Sequence, residues 1–366
     1  MKLFNKISSL STSNNKKSLI LLTGANGHLG NTIIKYLSTK EEYKNKYEVY
    51  GLVLPIFKNG DGDLKDFNNI HYVYGDVRDK DSLIEALFSK IDKTKYENTY
   101  LIHTAAIVSI ANDIDPNLYD TNVNGTINVA KLCIKYNVDR MIYVSSVHAL
   151  SFNDRYEVIK EEDRYDENKV VGAYAKTKAI ASNKILNLVK NEGLKAIILQ
   201  PSGIIGPYFL DESNHLVKLI NDYVDNKMPA GVKGGYDFVD VRDVSEATIS
   251  ALTLGKIGES YILSNRHYDI KELFNMINKL TKHRKVPILS TKFVSIFIPL
   301  ASFIAKKKKQ KALFTKYALY ILNVNDKFSH DKATRCLNYN PRDLYDTLKD
   351  TINYLKTFKS IKKKLN

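Results

Sequence analysis

Leu19-Ile-Leu-Leu-Thr-Gly-Ala-Asn-Gly-His-Leu-Gly-Asn-Thr-Ile-Ile-Lys35 is the stretch whose reading decides the fold. A continuous aliphatic run meets a turn punctuated by Gly24, Gly27 and Gly30, and the turn passes at once into an amphipathic segment. That layout predicts a buried first strand, a glycine-rich loop and a first helix. The three glycines permit a tight turn, close approach of backbone to a pyrophosphate and close packing of helix on strand. A helix that begins near Gly27 points free N–H groups and the positive end of its dipole at bound phosphates. The loop is therefore read as a nucleotide site.

Working outward, 366 residues with 44% hydrophobic content suffice for one large α/β domain with a smaller one attached. The net charge of +15 is not spread over a face. Four lysines fall in the first 17 residues, five in Lys306 to Lys311 and five in Lys356 to Lys364, which leaves the rest nearly neutral. Basic ends are usually solvated, and no nucleic-acid-binding motif accompanies them, so nucleic acid is set aside as a partner. Cys133 and Cys336 lie far apart and in no metal-ligand or redox spacing; they read as free thiols, and no metal site is expected. Residues 1–17 are polar, without an apolar core for a secretory signal, and read as a flexible basic leader to a cytoplasmic protein. Residues 359–366 read as a basic tail.

Further strands are expected at Tyr47 to Leu54, Ile70 to Gly75, Tyr100 to Ala106, Arg140 to Ser146 and Leu194 to Gln200. At the end of the second, an acid would accept from the 2′-OH of NAD and a basic residue would favour the 2′-phosphate of NADP. Leu54 and Pro55 stand there instead, with Lys58 and Asp61 the nearest charges, so the choice between NAD and NADP stays open. Asp76 and Asp79 follow the third strand and are candidate caps for a helix near Lys80. Asn122-Val-Asn-Gly-Thr126 lies inside a helical stretch from about Pro116 to Tyr136; two asparagines and a glycine are poor helix formers, and they predict a local distortion. Tyr174 and Lys178, four apart, share one helix face. A neighbouring ammonium favours the phenolate of a tyrosine whose reference pKa is about 10, so the pair reads as an acid/base tuned by a cation. Ser146, at the end of the fifth strand, is placed to polarise a substrate oxygen.

In this order the motifs resemble the extended branch of the short-chain dehydrogenase/reductase superfamily, also described as the NAD-dependent epimerase/dehydratase family. The resemblance covers roughly Lys17 to Lys356. It implies an α/β Rossmann fold, a doubly wound parallel sheet with a smaller, mostly helical C-terminal substrate domain. It also implies an NAD or NADP cofactor held by Gly24, Asn26, Gly27, His28, Leu29 and Gly30, by Asp76 and Val77 at the adenine, and by Thr104, Ala105 and Ala106. Lys178 is implied at the nicotinamide ribose, and Pro201 and Ser202 at the nicotinamide end. Ser146, Tyr174 and Lys178 carry the chemistry, and Asn122 fixes the active-site helix and the chain beside it. Val108, His148 and Tyr208 are expected to face the substrate.

Val147 and His148 follow Ser146 where sugar dehydratases of the family carry Asp-Glu, which argues against dehydration. Pro201-Ser202-Gly203, with Ser-Ser-Val-His-Ala-Leu, looks more like the dihydroflavonol-reductase and 3β-hydroxysteroid-dehydrogenase-like group than like sugar epimerases. The expected function is thus an NAD(P)-dependent oxidoreductase interconverting a carbonyl and a secondary alcohol on a mostly apolar small molecule. A nucleotide-sugar epimerase with tightly bound NAD and a non-catalytic dinucleotide-binding regulator are the alternatives.

The nucleotide domain is expected over residues 18–207, with returns at about 236–257 and 323–358, and the substrate domain over 208–235 and 258–322. Phe238 to Val244 is expected to rejoin the main sheet and start a helix, its acids capping that helix and pairing with Arg242. Val286 to Ala305 holds twenty residues with one charge, Lys292. Its prolines and hydroxyls favour a core or lid helix, with peripheral contact to an anionic membrane as the second reading. Ser329 to Phe358 is expected to pack as helices on the nucleotide domain. A homodimer through the helices at Asn122 to Tyr136 and Tyr174 to Asn191 is implied by the family.

Overall fold

The computed structural model describes residues 16–57, 67–110, 113–151, 157–208, 214–282, 285–296, 316–324 and 326–365. The leader before Lys16, Lys58, Asp61 and the run from 297 to 315 lie outside the described residues, and with them residues 297–305 of the apolar stretch and the lysines that follow it. Among the described residues, no helix is long and apolar enough to cross a membrane.

Seven parallel strands form the main sheet: β1 (Ser18–Thr23), β2 (Tyr47–Val53), β3 (Ile70–Tyr74), β4 (Thr99–His103), β5 (Arg140–Val144), β6 (Ala196–Pro201) and, later in the chain, Ser260–Leu263. All six residues of β1 are buried, as a central parallel strand covered on both faces requires. Side chains alternate between two cores. Leu19, Leu21, Leu101, Met141 and Ile198 face the helices Thr126–Lys135 and Ala173–Glu192. Ile20, Leu22, Ile102, Ile142 and Ile197 face α1 (His28–Thr39) and the helix Val241–Ser250.

The spatial order runs β3, β2, β1, β4, β5, β6 and then Ser260–Leu263. The direction of winding reverses between β1 and β4, and a crevice opens at the carboxyl ends of strands that flank such a switch point. Thr23 stands opposite Leu52 on one side and His103 on the other, so the glycine loop leaves the sheet at this reversal.

Four segments depart from or refine the sequence expectations. Ser260–Leu263, expected within the smaller unit, is the seventh strand of the main sheet, and its residues serve both cores. After β7 (Gly203–Ile205) and a two-residue strand β8 (Gly231–Val232), the return is made by β9 (Gly235–Asp240). It pairs with β7 and with His267–Asp269 in a separate three-stranded sheet rather than rejoining the main one. The helix after it starts at Val241, where Asp240 Oδ1 accepts from the Arg242 N–H at 2.7 Å and the Asp240 carboxylate holds the Arg242 guanidinium. The expected distortion between Pro116 and Tyr136 is a π-helical turn, Asp120–Gly125, set between Pro116–Tyr119 and Thr126–Lys135. Gly125 is needed within it, since a Cβ there would sit 2.8 Å from Val77 Cγ2.

A third core joins Val217, Ile220, Phe238, Leu273, Phe274 and Ile277. Of the tail helices, Asp331–Leu337 packs on the main sheet through Ala333 and Leu337. Helix Leu344–Leu365 instead places Leu344, Leu348, Ile352 and Leu355, one stripe at helical spacing, in the third core.

Candidate active site

The glycine loop is shaped by contacts that exclude side chains. Gly24 has a φ of +72°, and a Cβ on it would lie 2.8 Å from the Ala105 backbone nitrogen. A Cβ on Gly30 would lie 2.1 Å from the Gly24 carbonyl oxygen, so α1 is seated directly on the loop. Gly27 is the N-cap of α1 and makes no side-chain cap, and with the first-turn residues His28, Leu29 and Gly30 it lines a cavity. An uncapped helix end with room for backbone approach is what a dinucleotide diphosphate requires.

His28 ties this loop to the chain after β7. Asn214 Nδ2 donates to its Nδ1 at 2.9 Å, which leaves Nε2–H to donate to the Pro207 carbonyl at 2.9 Å. Behind the loop, His103 closes a second chain. The Thr126 hydroxyl donates to the Asn122 carbonyl at 2.8 Å, so it accepts from His103 Nε2–H at 3.0 Å, and the Thr23 hydroxyl donates to His103 Nδ1 at 2.7 Å. Both imidazoles are neutral and single-tautomer.

Asn122 clamps the chain after β4: Oδ1 accepts from Ile107 N–H at 2.8 Å, and Nδ2 donates to the Ile107 carbonyl at 2.9 Å and to Thr177 Oγ1 at 3.1 Å. It sits outside the cavity lining, and its side chain bonds to Ile107 and Thr177, so its place is that of a positioning residue.

Ser146 follows β5, and its Oγ accepts from the His148 N–H at 3.2 Å. Tyr174 lies in the first turn of helix Ala173–Glu192, and Lys178, one turn on, is buried and donates to the Val144 carbonyl at 2.8 Å. Burial pushes the Tyr174 phenol up to about 12 against the pull of the Ser146 hydroxyl, and it pulls Lys178 down to about 7. Lys178 Nζ gives one of its N–H groups to Val144 and stands 6.0 Å from the Tyr174 ring centroid, and burial lowers the lysine whose charge would favour the phenolate. Burial outweighs it, and Tyr174 holds its proton at neutral pH.

Ser146, Tyr174, Lys178, His148, Val108, Thr104, Ala106, Pro201 and Ser202 all line one cavity of about 370 Å³, together with the glycine-loop residues from Gly27 to Gly30. Gly24, Asn26, Ala105, Asp76, Val77 and Tyr208 do not line it. Asp79 caps its helix, and the Asp76 carboxylate is held by Arg78, with Nε 3.0 Å from each oxygen, which keeps it below the usual carboxylate range. Val77 is buried against Gly125. Tyr208, expected at the substrate, lies with its ring under Lys35 Nζ at 3.8 Å and edge-on to Tyr354. Sequence reasoning missed Asp237, Asn214 and Tyr317. Tyr317 carries no motif; it packs so closely on Gly172 that a Cβ there would sit 2.3 Å from its ring.

The buried histidines set the acid limit of the fold. Burial holds His28 and His148 at about 4 and His103 at about 3, below the unfolded value of 6.5. The unfolded chain thus binds more protons as the pH falls below 6.5, and stability is lost through that window. Asp237, raised to about 7, acts in the opposite sense and offsets one histidine. Unfolding by urea should show a protein roughly 3 kcal/mol less stable at pH 5 than at pH 6.5. Equal midpoints at the two pH values would contradict the neutral, buried assignment.

The profile of the 3-beta hydroxysteroid dehydrogenase/isomerase family matches residues 21–272. Over 270 residues the chain is 30% identical to sterol demethylase protein B of Methylococcus capsulatus, covering 72% of this chain and 74% of that protein. It is 24% identical over 355 residues to the decarboxylating sterol-4-alpha-carboxylate 3-dehydrogenase of Schizosaccharomyces pombe, covering 93% and 98%. The crystal structure of gox2253 superposes with a TM-score of 0.73 at 28% identity, covering 94% of this chain and 99% of that one.

Proposed function

The chain belongs to the 3-beta hydroxysteroid dehydrogenase/isomerase family, and from that premise we propose that it is an NAD(P)-dependent oxidoreductase interconverting a carbonyl and a secondary alcohol on a mostly apolar small molecule. The observation that carries the reading is one cavity shared by an uncapped glycine-rich helix end and by Ser146, Tyr174 and Lys178. Gly27, His28, Leu29 and Gly30 would hold the diphosphate, Lys178 the nicotinamide ribose, and Pro201 with Ser202 the nicotinamide end. When bound, the nicotinamide supplies or accepts the hydride.

In the reducing direction Tyr174, protonated at neutral pH, gives its proton to the carbonyl oxygen. Ser146 Oγ already accepts from His148 N–H, so its own O–H is left to donate to the oxygen that gains charge. In the oxidising direction the step runs in reverse: Tyr174, once deprotonated, receives the alcohol proton, and Ser146 orients the alcohol. Asn122 and Thr177 keep the helix that bears Tyr174 in register with the chain at Ile107.

The substrate end of the cavity is largely apolar, with Val108, Ile110, Ile204, Leu216, Ile321 and Phe328 on its wall. Among its described lining residues, Lys178 is the one lysine, there is no arginine, and Asp237 and Asp326 are the acids. A nucleotide sugar would bring a diphosphate towards these acids with no arginine and no second lysine among the described lining residues to receive it, which favours a substrate without phosphate. Two relatives named for sterols make fused-ring alcohols and ketones the first compounds to try.

The test begins with the protein as purified: denature it, count released nicotinamide nucleotide, and ask whether NADH or NADPH exchanges in. An empty or freely exchanging site, followed by turnover of a ring ketone, is the expected result. Near one NAD⁺ per chain that does not exchange would instead make the protein an epimerase-type enzyme that oxidises and re-reduces one centre.

A further inference from the structure

Asp237 lines the same cavity from β9 and is 3% exposed. Its Oδ1 accepts from the Ser202 hydroxyl at 2.6 Å and from the Asn265 N–H at 2.9 Å. Its Oδ2 is equally buried and has no hydrogen-bond partner among the described residues. A buried polar atom left unpaired typically costs about 1–3 kcal/mol, more when charged, and a proton donor in the cavity removes that cost.

The neighbouring groups do not supply the donor. Asp326, also on the cavity wall, is held through both oxygens by His267 Nδ1 at 2.7 and 2.8 Å. The polar neighbour of Tyr174 is Ser146, whereas that of Asp237 is Ser202, so the two are separate polar points on the cavity wall, which also carries the Tyr317 hydroxyl and His148 Nδ1. Burial raises the Asp237 carboxyl to about 7, as an unsatisfied oxygen in such a place implies.

We infer that Asp237 Oδ2 accepts a hydrogen bond from a hydroxyl or N–H group of the substrate, distinct from the oxygen that is oxidised or reduced, and so determines which apolar ketones and alcohols the site takes. The inference rests on the dehydrogenase reading of the cavity.

The probes are ketosteroids in matched sets that carry a hydroxyl, a carbonyl or hydrogen at one carbon away from the reacting ketone, with several such carbons sampled. Turnover is measured at pH 8 with NADH or NADPH, and binding to the cofactor-loaded protein in parallel. For at least one set the wild type should favour the hydroxylated member tenfold or more in kcat/KM over both others. In Asp237→Asn, the Ser202 and Asn265 donors require the amide oxygen at the Oδ1 position, which places NH₂ where Oδ2 stood. Preference should then pass to the carbonyl member of that set. Asp237→Glu, which keeps the charge and moves it, should reduce the hydroxyl preference to below threefold.

Turnover with no hydroxyl preference in the wild type, or a preference that Asp237→Asn leaves unchanged, overturns the inference alone. Loss of NADH affinity in Asp237→Asn with an unchanged ratio overturns it in favour of a cofactor contact. No turnover and no binding of any probe overturns the dehydrogenase reading and this inference with it.

Discussion

Replacing Tyr174 by Phe should lower kcat/KM by about 10³-fold or more while leaving cofactor affinity within about threefold of wild type. The substitution removes one hydroxyl and keeps the ring. That ring meets His148 edge-on at 6.2 Å and stands over the same helix turn as Lys178, so packing at the start of helix Ala173–Glu192 is retained. The residues that would hold the dinucleotide, Gly27 to Gly30 and Lys178, keep their places. What is lost is the proton that Tyr174 carries at neutral pH and the polar partner of the Ser146 hydroxyl. Steady-state rates on a ring ketone, paired with a fluorescence titration of NADH or NADPH, separate the two effects. Activity within tenfold of wild type would move the proton to another group on the cavity wall, with the Tyr317 hydroxyl and His148 Nδ1, both buried and without partners among the described residues, the next to examine.

The parts of this site that can be read from sequence are those in which local chemistry and local structure coincide. A glycine that must accept positive φ, a tyrosine and a lysine one helical turn apart, and a serine at a strand end each announce themselves within a few residues. The π-helical turn at Asp120–Gly125 was legible for the same reason, since Asn122, Asn124 and Gly125 oppose the helix around them. Asp237 and Tyr317 were not, because each takes its place on the cavity wall only through what distant segments bring against it: Ser202 and Asn265 for one, Gly172 for the other. The tail helix shows the same limit. Its stripe of Leu344, Leu348 and Ile352 declares a buried face but not the surface that buries it, and the third core, not the main sheet, takes it up. The shift of Lys178 comes from burial, which residue types alone do not show: the sequence reads a full cation beside Tyr174, and the fold lowers that lysine to about 7.

Gly30 and Gly27 differ by three positions and should fail in different ways when changed to Ala. At Gly30 the new Cβ would stand 2.1 Å from the Gly24 carbonyl oxygen and 3.0 Å from Ala25 Cα. Both are backbone, and Gly24 cannot retreat, because its own Cβ position is 2.8 Å from the Ala105 nitrogen and its φ is +72°. Helix α1 must therefore lift from the loop, which strips Ile33 and Ile34 from their places in the core. Gly30→Ala should cost roughly 3 kcal/mol or more of stability, and a protein that still folds should have lost dinucleotide binding. At Gly27 the nearest heavy atom to a new Cβ is the Gly24 carbonyl oxygen at 3.3 Å, a contact that a small shift relieves. That Cβ stands instead on the wall of the cavity, where the phosphates would approach. Gly27→Ala should unfold within about 1 kcal/mol of wild type, yet bind NADH or NADPH at least tenfold more weakly. Urea unfolding and cofactor titration of the two variants decide the matter. Equal losses of stability would show that the loop is only a structural turn, whereas tight cofactor binding by a folded Gly27→Ala would remove the helix end from the proposed diphosphate site.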